Sequence, residues 1–267
     1  METWLSHPAM QAAAIPFVAA FAVALALGRT RWLAFAQVIG FVPSATLAIG
    51  WSIESLTSTR KLAIIGAAVL VLCVLVEWGH SRWRATATAS CAVLAVACVW
   101  MLWRLLAQRD AGAAVLAAVL AATYVAAQAA MMLRAGEDPV RAAAAGSTLG
   151  WATGVVALLG ASAVLGTVAL AVGSAAFATL GVQWLRGAAA PTGRSISLPA
   201  ATVAGLAGVN AVMAAELPGY ALLPLLLVVP AARLAPSTLG VRPRAIAAVA
   251  LAIVPAAAAV ALAWFHH

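Results

Sequence analysis

Residues 142–185 read AAAAGSTLGWATGVVALLGASAVLGTVALAVGSAAFATLGVQWL, and no side chain between Ala142 and Leu185 is charged. At about 1.5 Å per residue, one helix of this length would reach about twice the hydrocarbon thickness of a bilayer. The stretch therefore predicts two membrane-spanning helices, the sixth and seventh of the chain. The break falls near Gly160-Ala161-Ser162, where small and polar residues interrupt the apolar run.

The rest of the chain repeats this pattern. Apolar residues make up 66% of it and charged residues 8%, whereas a soluble domain is nearer half apolar and a quarter charged. Too little polar surface is available to cover a water-soluble fold of this size, so lipid is the expected solvent. Apolar segments long enough to be read as spans run from about Pro8 to Leu27, Trp32 to Ser52, Leu62 to Glu77, Ala85 to Trp103 and Ala111 to Leu133. After the Ala142–Leu185 pair come Leu198 to Ala215, Tyr220 to Leu234 and Ala245 to Phe265. The expected fold is all-α, a polytopic helical membrane protein of about ten transmembrane helices, forming a single transmembrane domain over residues 1–267. The polar loop Arg134–Arg141 divides the count into halves, 1–134 and 141–267, whose opposite topology matches the inverted-repeat plan of many transporters. No internal sequence similarity between the halves accompanies it.

Charge supports the partition. The net charge of +8 comes from 15 Lys plus Arg against 7 Asp plus Glu. The basic residues stand singly or in pairs between apolar segments, which argues against a nucleic-acid partner. With the N-terminus outside, the inner loops hold Arg29, Arg31, Arg82, Arg84, Arg134, Arg141, Arg186, Arg194, Arg233, Arg242 and Arg244. The outer loops hold Arg60, Lys61, Arg104 and Arg109. That asymmetry is the signature of cytoplasmic loops. It places both termini outside and predicts a multi-pass protein of the bacterial inner membrane. Trp4, Trp32, Trp51, Trp78, Trp83, Trp100, Trp103, Trp184 and Trp264 fall at segment ends, where indole prefers the interface. Only Trp151 falls near a centre. The first segment lacks a basic flank and reads as a retained helix, not a cleaved leader.

Gly146, Gly150 and Gly154 form GxxxGxxxG on the sixth helix. Glycine at every fourth position lets a second backbone approach closely, so this motif is assigned to helix packing. The polar groups at membrane depth are Gln37, Tyr124, Gln128, Trp151 and Asn210. They are expected to face the bundle interior, because an unsatisfied amide in hydrocarbon costs several kcal/mol. Their ordinary role is interhelical hydrogen bonding; together they would line a midplane path for a small, mostly uncharged molecule. No Asp, Glu, Lys, Arg or His sits at mid-depth, which argues against a proton relay.

Glu77, Glu54 and Glu216 lie at segment ends and read as solvated or paired interfacial charges. His7, Met10, Met101, Met213, His266 and His267 collect at outer ends without a ligand motif, so no metal site and no cofactor are assigned. Cys73, Cys91 and Cys98 lie within apolar segments and read as small buried hydrophobes. Serine-protease chemistry would need a histidine at depth, and magnesium-dependent lipid transferases clustered acids. Both are lacking, so no enzyme is expected. The favoured function is a small-solute transporter or permease. The alternative is a non-catalytic anchoring or scaffolding subunit of a larger membrane complex. The expected partners are the lipid bilayer and either other membrane subunits or further copies of the chain.

Overall fold

The computed structural model describes residues 10–27, 33–49, 56–78, 83–160, 162–191, 193–214 and 217–266. It is all helical, with no strand among these residues. In chain order the helices are α1 (Ile15–Leu27, led in by a π turn at Met10–Ala14), α2 (Ala34–Ile49), α3 (Ser58–Trp78), α4 (Trp83–Leu106), α5 (Ala111–Ala135) and α6 (Pro139–Leu159). They continue with α7 (Ala163–Arg186), α8 (Arg194–Ala214), α9 (Leu223–Arg233, preceded by a 3-10 turn at Gly219–Leu222) and α10 (Val241–Trp264). Trp4, His7, Arg29, Arg31, Trp32, Trp51, Glu54, Arg82, Glu216 and His267 lie outside the described residues, as do the side chains of Glu77, Trp78, Trp83 and Arg84.

Six of these helices hold stretches long and apolar enough to cross a bilayer: Ala89–Leu106 in α4, and α5, α6, α7, α8 and α10 entire. Ala12–Leu27, Phe35–Ile49 and Gly219–Arg233 are apolar but shorter. By length and composition these helices are compatible with a helical membrane protein. Its lipid-compatible rim agrees: Val96, Val115 and Val254 are exposed at 69%, 64% and 69% on outer helices.

The long uncharged run divides where its small residues fall. Gly160 ends α6, its N–H donating to Val156 O at 3.0 Å, and Ser162 precedes α7. Asp138 caps α6, accepting from the N–H groups of Val140 and Arg141 at 3.0 and 3.3 Å, with Pro139 at the first helical position. Gly187 closes α7 in the left-handed region at φ 63°, where only glycine is unstrained. Several helices run beyond their apolar segments. The third begins at Ser58, not near Leu62; the eighth at Arg194, not near Leu198; the tenth at Val241, not near Ala245. Hydropathy locates the hydrocarbon, while the helix continues until its backbone groups find caps or water.

Helices α6, α7 and α8 form the centre, with 78%, 78% and 83% of their apolar windows buried, against 28–33% for α4, α5 and α10. The first half of the chain wraps this centre. Helices α1 and α2 lie on α7, and α3 and α5 on α8. The halves are unequal in their packing: α6 meets α7, α8 and α10, whereas its counterpart α1 meets α2 and α7.

Close contacts fix the directions. Phe17 lies 5.9 Å from Phe177 and Phe21 faces Gly181, so α1 and α7 run parallel. Gly150 faces Gly173, and Gly154 faces Gly166, so α6 and α7 are antiparallel. Gly146 faces Ala200, and Thr153 adjoins Gly208, so α6 and α8 are parallel. One end of the bundle gathers Leu25, Gly136, Asp138, Gln183, Arg186, Gly193, Ala235 and Arg244. The other gathers Lys61 with Trp100, Gly160 with Leu217, and Tyr220 with His266. The described arginines at the first end are Arg134, Arg141, Arg186, Arg194, Arg233, Arg242 and Arg244; Arg60, Lys61, Arg104 and Arg109 lie at the second.

Candidate functional site

Helices α5, α6, α8 and α9 meet at a junction floored by two glycines one turn apart on α8. Gly205 faces Val125 of α5 at ordinary contact distance. Gly208 faces Thr153 of α6 and Leu222 of the turn before α9. At this junction the buried Gln128 donates through Nε2 to the Tyr124 hydroxyl at 3.3 Å and to Leu225 O of α9 at 3.2 Å. Its Oε1 has no partner, and neither has the buried hydroxyl of Thr153. Other hydroxyls in the bundle satisfy themselves on their own helix: Ser147, Thr167, Thr179 and Thr202 donate to carbonyls three or four residues back at 2.7–2.9 Å. Thr153 does not.

The junction is bounded by the shortest α-helix among the described residues. Helix α9 has 11 residues, with Pro224 in its first turn and Pro230 inside. Pro230 supplies no N–H to the turn before it, which weakens the helix there.

Of the five polar residues singled out by depth, only Tyr124 and Gln128 come together. Trp151 faces the opposite side of α6. Its Nε1 donates to Ser174 Oγ at 3.1 Å, its ring lies 4.7 Å from Phe177, and Phe177 in turn meets Phe17. Trp151 therefore knits α6 to α7 and α1. Asn210 lies two turns beyond Val203 on α8, and Gln37 one turn before Phe41 on α2; Val203 and Phe41 meet at Gly66 of α3. With α2 and α8 running in the same direction, the two amides stand about 16 Å apart along the bundle axis. Both are fully buried, and neither has a hydrogen-bond partner for either of its polar atoms.

Thr153 was missed by sequence reasoning. Nothing in the residue string distinguishes it from the hydroxyls that bond to their own helix.

The glycine motif lies where two backbones touch. A Cβ on Gly150 would stand 2.6 Å from Gly173 Cα, one on Gly154 2.5 Å from Leu170 Cγ, and one on Gly146 3.1 Å from Ala200 Cβ. Among the described residues no three His, Cys, Asp or Glu side chains are grouped to hold a metal ion. Met101 is buried in the core, and His266 Nδ1 lies 3.2 Å from the Tyr220 hydroxyl. Asp138 is committed to structure, with Arg244 at 2.9 Å and Arg141 at 3.5 Å. An open apolar groove of about 520 Å³ lies on the flank of α4 and α5, lined by Ala95, Val96, Val99, Trp100, Trp103 and Ala122.

No protein-family profile matches the chain, and no curated protein or solved structure shows significant similarity to it.

Proposed function

We propose that the chain is a ten-span protein of the bacterial inner membrane, with its arginine-rich end in the cytosol and both termini outside, that passes a small uncharged hydrogen-bonding solute along the α5–α6–α8–α9 junction. One observation carries this reading: the Gln128 carbonyl and the Thr153 hydroxyl are buried at one junction with hydrogen-bonding capacity left over. An unmatched buried polar group costs about 1–3 kcal/mol, and these two come from different helices that meet at one junction. A solute or water offering both a donor and an acceptor would meet that demand. The weakened α9 is the element whose displacement opens the junction. Because no Asp, Glu, Lys, Arg or His lies at that depth among the described residues, the transport proposed is downhill facilitation, and no catalysis is proposed.

The test is uptake by proteoliposomes containing the purified chain, using a panel of neutral solutes such as urea, glycerol and small amides. Uptake that Gln128→Leu and Thr153→Val each reduce supports the reading. Wild-type vesicles no leakier than protein-free ones for every solute would refute it.

A second reading is favoured by a separate observation. Helix α4 packs chiefly on α5, and the pair displays the groove containing Trp100 and Trp103. That flank suits a membrane-anchoring or scaffolding subunit that receives a partner helix. Stoichiometric co-purification of another membrane protein, lost on Ala95→Leu or Ala122→Leu, would favour it over transport.

A further inference from the structure

Two arginines mark the last turn of α7 at the arginine-rich end, Arg186 on that turn and Arg242 reaching it from α10. Arg242, in the first turn of α10, donates from Nε to Trp184 O at 3.0 Å and from Nη2 to Leu185 O at 3.2 Å. Its guanidinium carbon lies 5.5 Å from the centre of the Trp184 ring. Arg186 sends Nη2 across to Leu25 O of α1. Cations donating to the last carbonyls of a helix are ordinary capping. Capping does not account for all of this arrangement. A guanidinium carries five N–H donors, and these bonds occupy two from Arg242 and one from Arg186. Neither cation has a carboxylate partner, since the ion pairs among the described residues both belong to Asp138. Both side chains are exposed.

The surface around them is apolar. Leu25, Trp184, Leu185 and Ile246 are exposed at 42%, 42%, 50% and 63%, and Ile246 lies one turn above Arg242 on α10. Two cations without counter-ions thus sit at the ends of membrane-length helices, beside an apolar strip that leads toward mid-depth. Basic pockets between spans at such ends suit lipid headgroups.

We propose that Arg186 and Arg242 bind the phosphate of an anionic phospholipid whose acyl chain lies along Trp184 and Ile246. Their spare donors address the phosphate oxygens, and the indole lies beneath at the glycerol level. Because the site joins α1 to α7 and α10, the bound lipid clamps the first helix onto the centre of the bundle.

Native mass spectrometry of the detergent-purified chain, titrated with phosphatidylglycerol or phosphatidylcholine, tests this. Charge-assisted hydrogen bonds of about 1.5 kcal/mol each correspond to about tenfold in affinity. The double variant Arg186→Gln/Arg242→Gln is therefore expected to bind phosphatidylglycerol at least about tenfold more weakly and to lose the wild type's preference for it over phosphatidylcholine, whose phosphate is offset by the choline cation. The control double variant Arg134→Gln/Arg233→Gln removes the same charge from the same end and should bind as wild type does. Equal loss in both doubles would mean diffuse attraction and would overturn the site, as would no loss in either. Displacement of the lipid by millimolar inorganic phosphate would assign the site to the free ion and overturn the lipid proposal. Should the first double variant fail to fold, Arg186→Gln alone decides: weaker phosphatidylglycerol binding upholds the site, and unchanged binding removes it.

Discussion

Gly150 and Gly173 bring the backbones of α6 and α7 together: a single carbon added to Gly150 would stand 2.6 Å from the Cα of Gly173 and 2.7 Å from its amide nitrogen. No side chain can rotate away to relieve such a contact, because both partners are main chain. The two most central helices can be this close only if both positions lack a Cβ.

Gly150→Ala should therefore destabilise the protein by about 1–3 kcal/mol, the usual cost of forcing extra carbon into a packed core. Gly112→Ala, in the first turn of α5 with nothing within 4 Å, is the matched control. It should be neutral or stabilise by up to about 1 kcal/mol through helix propensity alone. Unfolding in mild detergent, followed by circular dichroism or a thiol-accessibility assay, checks both. Equal tolerance at the two positions would mean that α6 and α7 are not in backbone contact.

Asp138 performs two jobs that substitution can separate. It caps α6 and pairs with Arg141 and Arg244. Asp138→Asn keeps a capping oxygen and loses the charge; Asp138→Ala loses both. The expected order of stability is wild type, then Asn, then Ala, with the cap alone contributing about 0.5–2 kcal/mol. The ion-pair step should shrink as salt is raised, because these side chains are only partly buried. An Asn variant as unstable as the Ala variant, at every salt concentration, would assign all of the effect to charge.

The place of each helix along the chain was legible in the sequence, and azimuth was not. The ten α-helices among the described residues fall where apolar runs fall. Which neighbour a residue faces depends on the order of helices around the bundle. Central helices that are apolar or small on every side carry little record of that order. Trp151 and Gln128 share a depth yet face opposite sides of α6, and Gln37 and Asn210 lie at different levels beside α3 and α8. Thr153 was invisible for a related reason: whether a hydroxyl bonds to its own helix is decided by its rotamer, which sequence does not give. The glycine motif was legible because its consequence, close approach, is the same whichever helix comes near.

Trp151 should behave as a packing residue. Trp151→Phe removes the Nε1–Ser174 hydrogen bond and keeps an aromatic ring against Phe177. The expected loss is about 1 kcal/mol. Ser174→Ala leaves the indole N–H without its acceptor and should cost as much or more, about 1–3 kcal/mol. Neither should alter solute uptake. Uptake abolished by Trp151→Phe in a protein of unchanged stability would place the solute path on the α1 side of α6 and away from Gln128.

Gln37 and Asn210 give the clearest test of whether unmatched polarity is functional. Each is fully buried and its amide has no partner. A group in that state opposes folding, so Gln37→Leu and Asn210→Leu should each stabilise the bundle by about 1–3 kcal/mol, the desolvation cost removed. Gln128→Leu is different in kind, because it also surrenders two hydrogen bonds to Tyr124 and Leu225. It should be neutral or destabilising while reducing uptake. The contrast separates two roles for a buried amide. If Asn210→Leu raises the unfolding midpoint and leaves uptake intact, Asn210 takes no part in transport and the proposed path stays with the α5–α6–α8–α9 junction. If Asn210→Leu destabilises the protein instead, its amide has a partner in the membrane, such as water or another chain, and the path must be redrawn through α3 and α8.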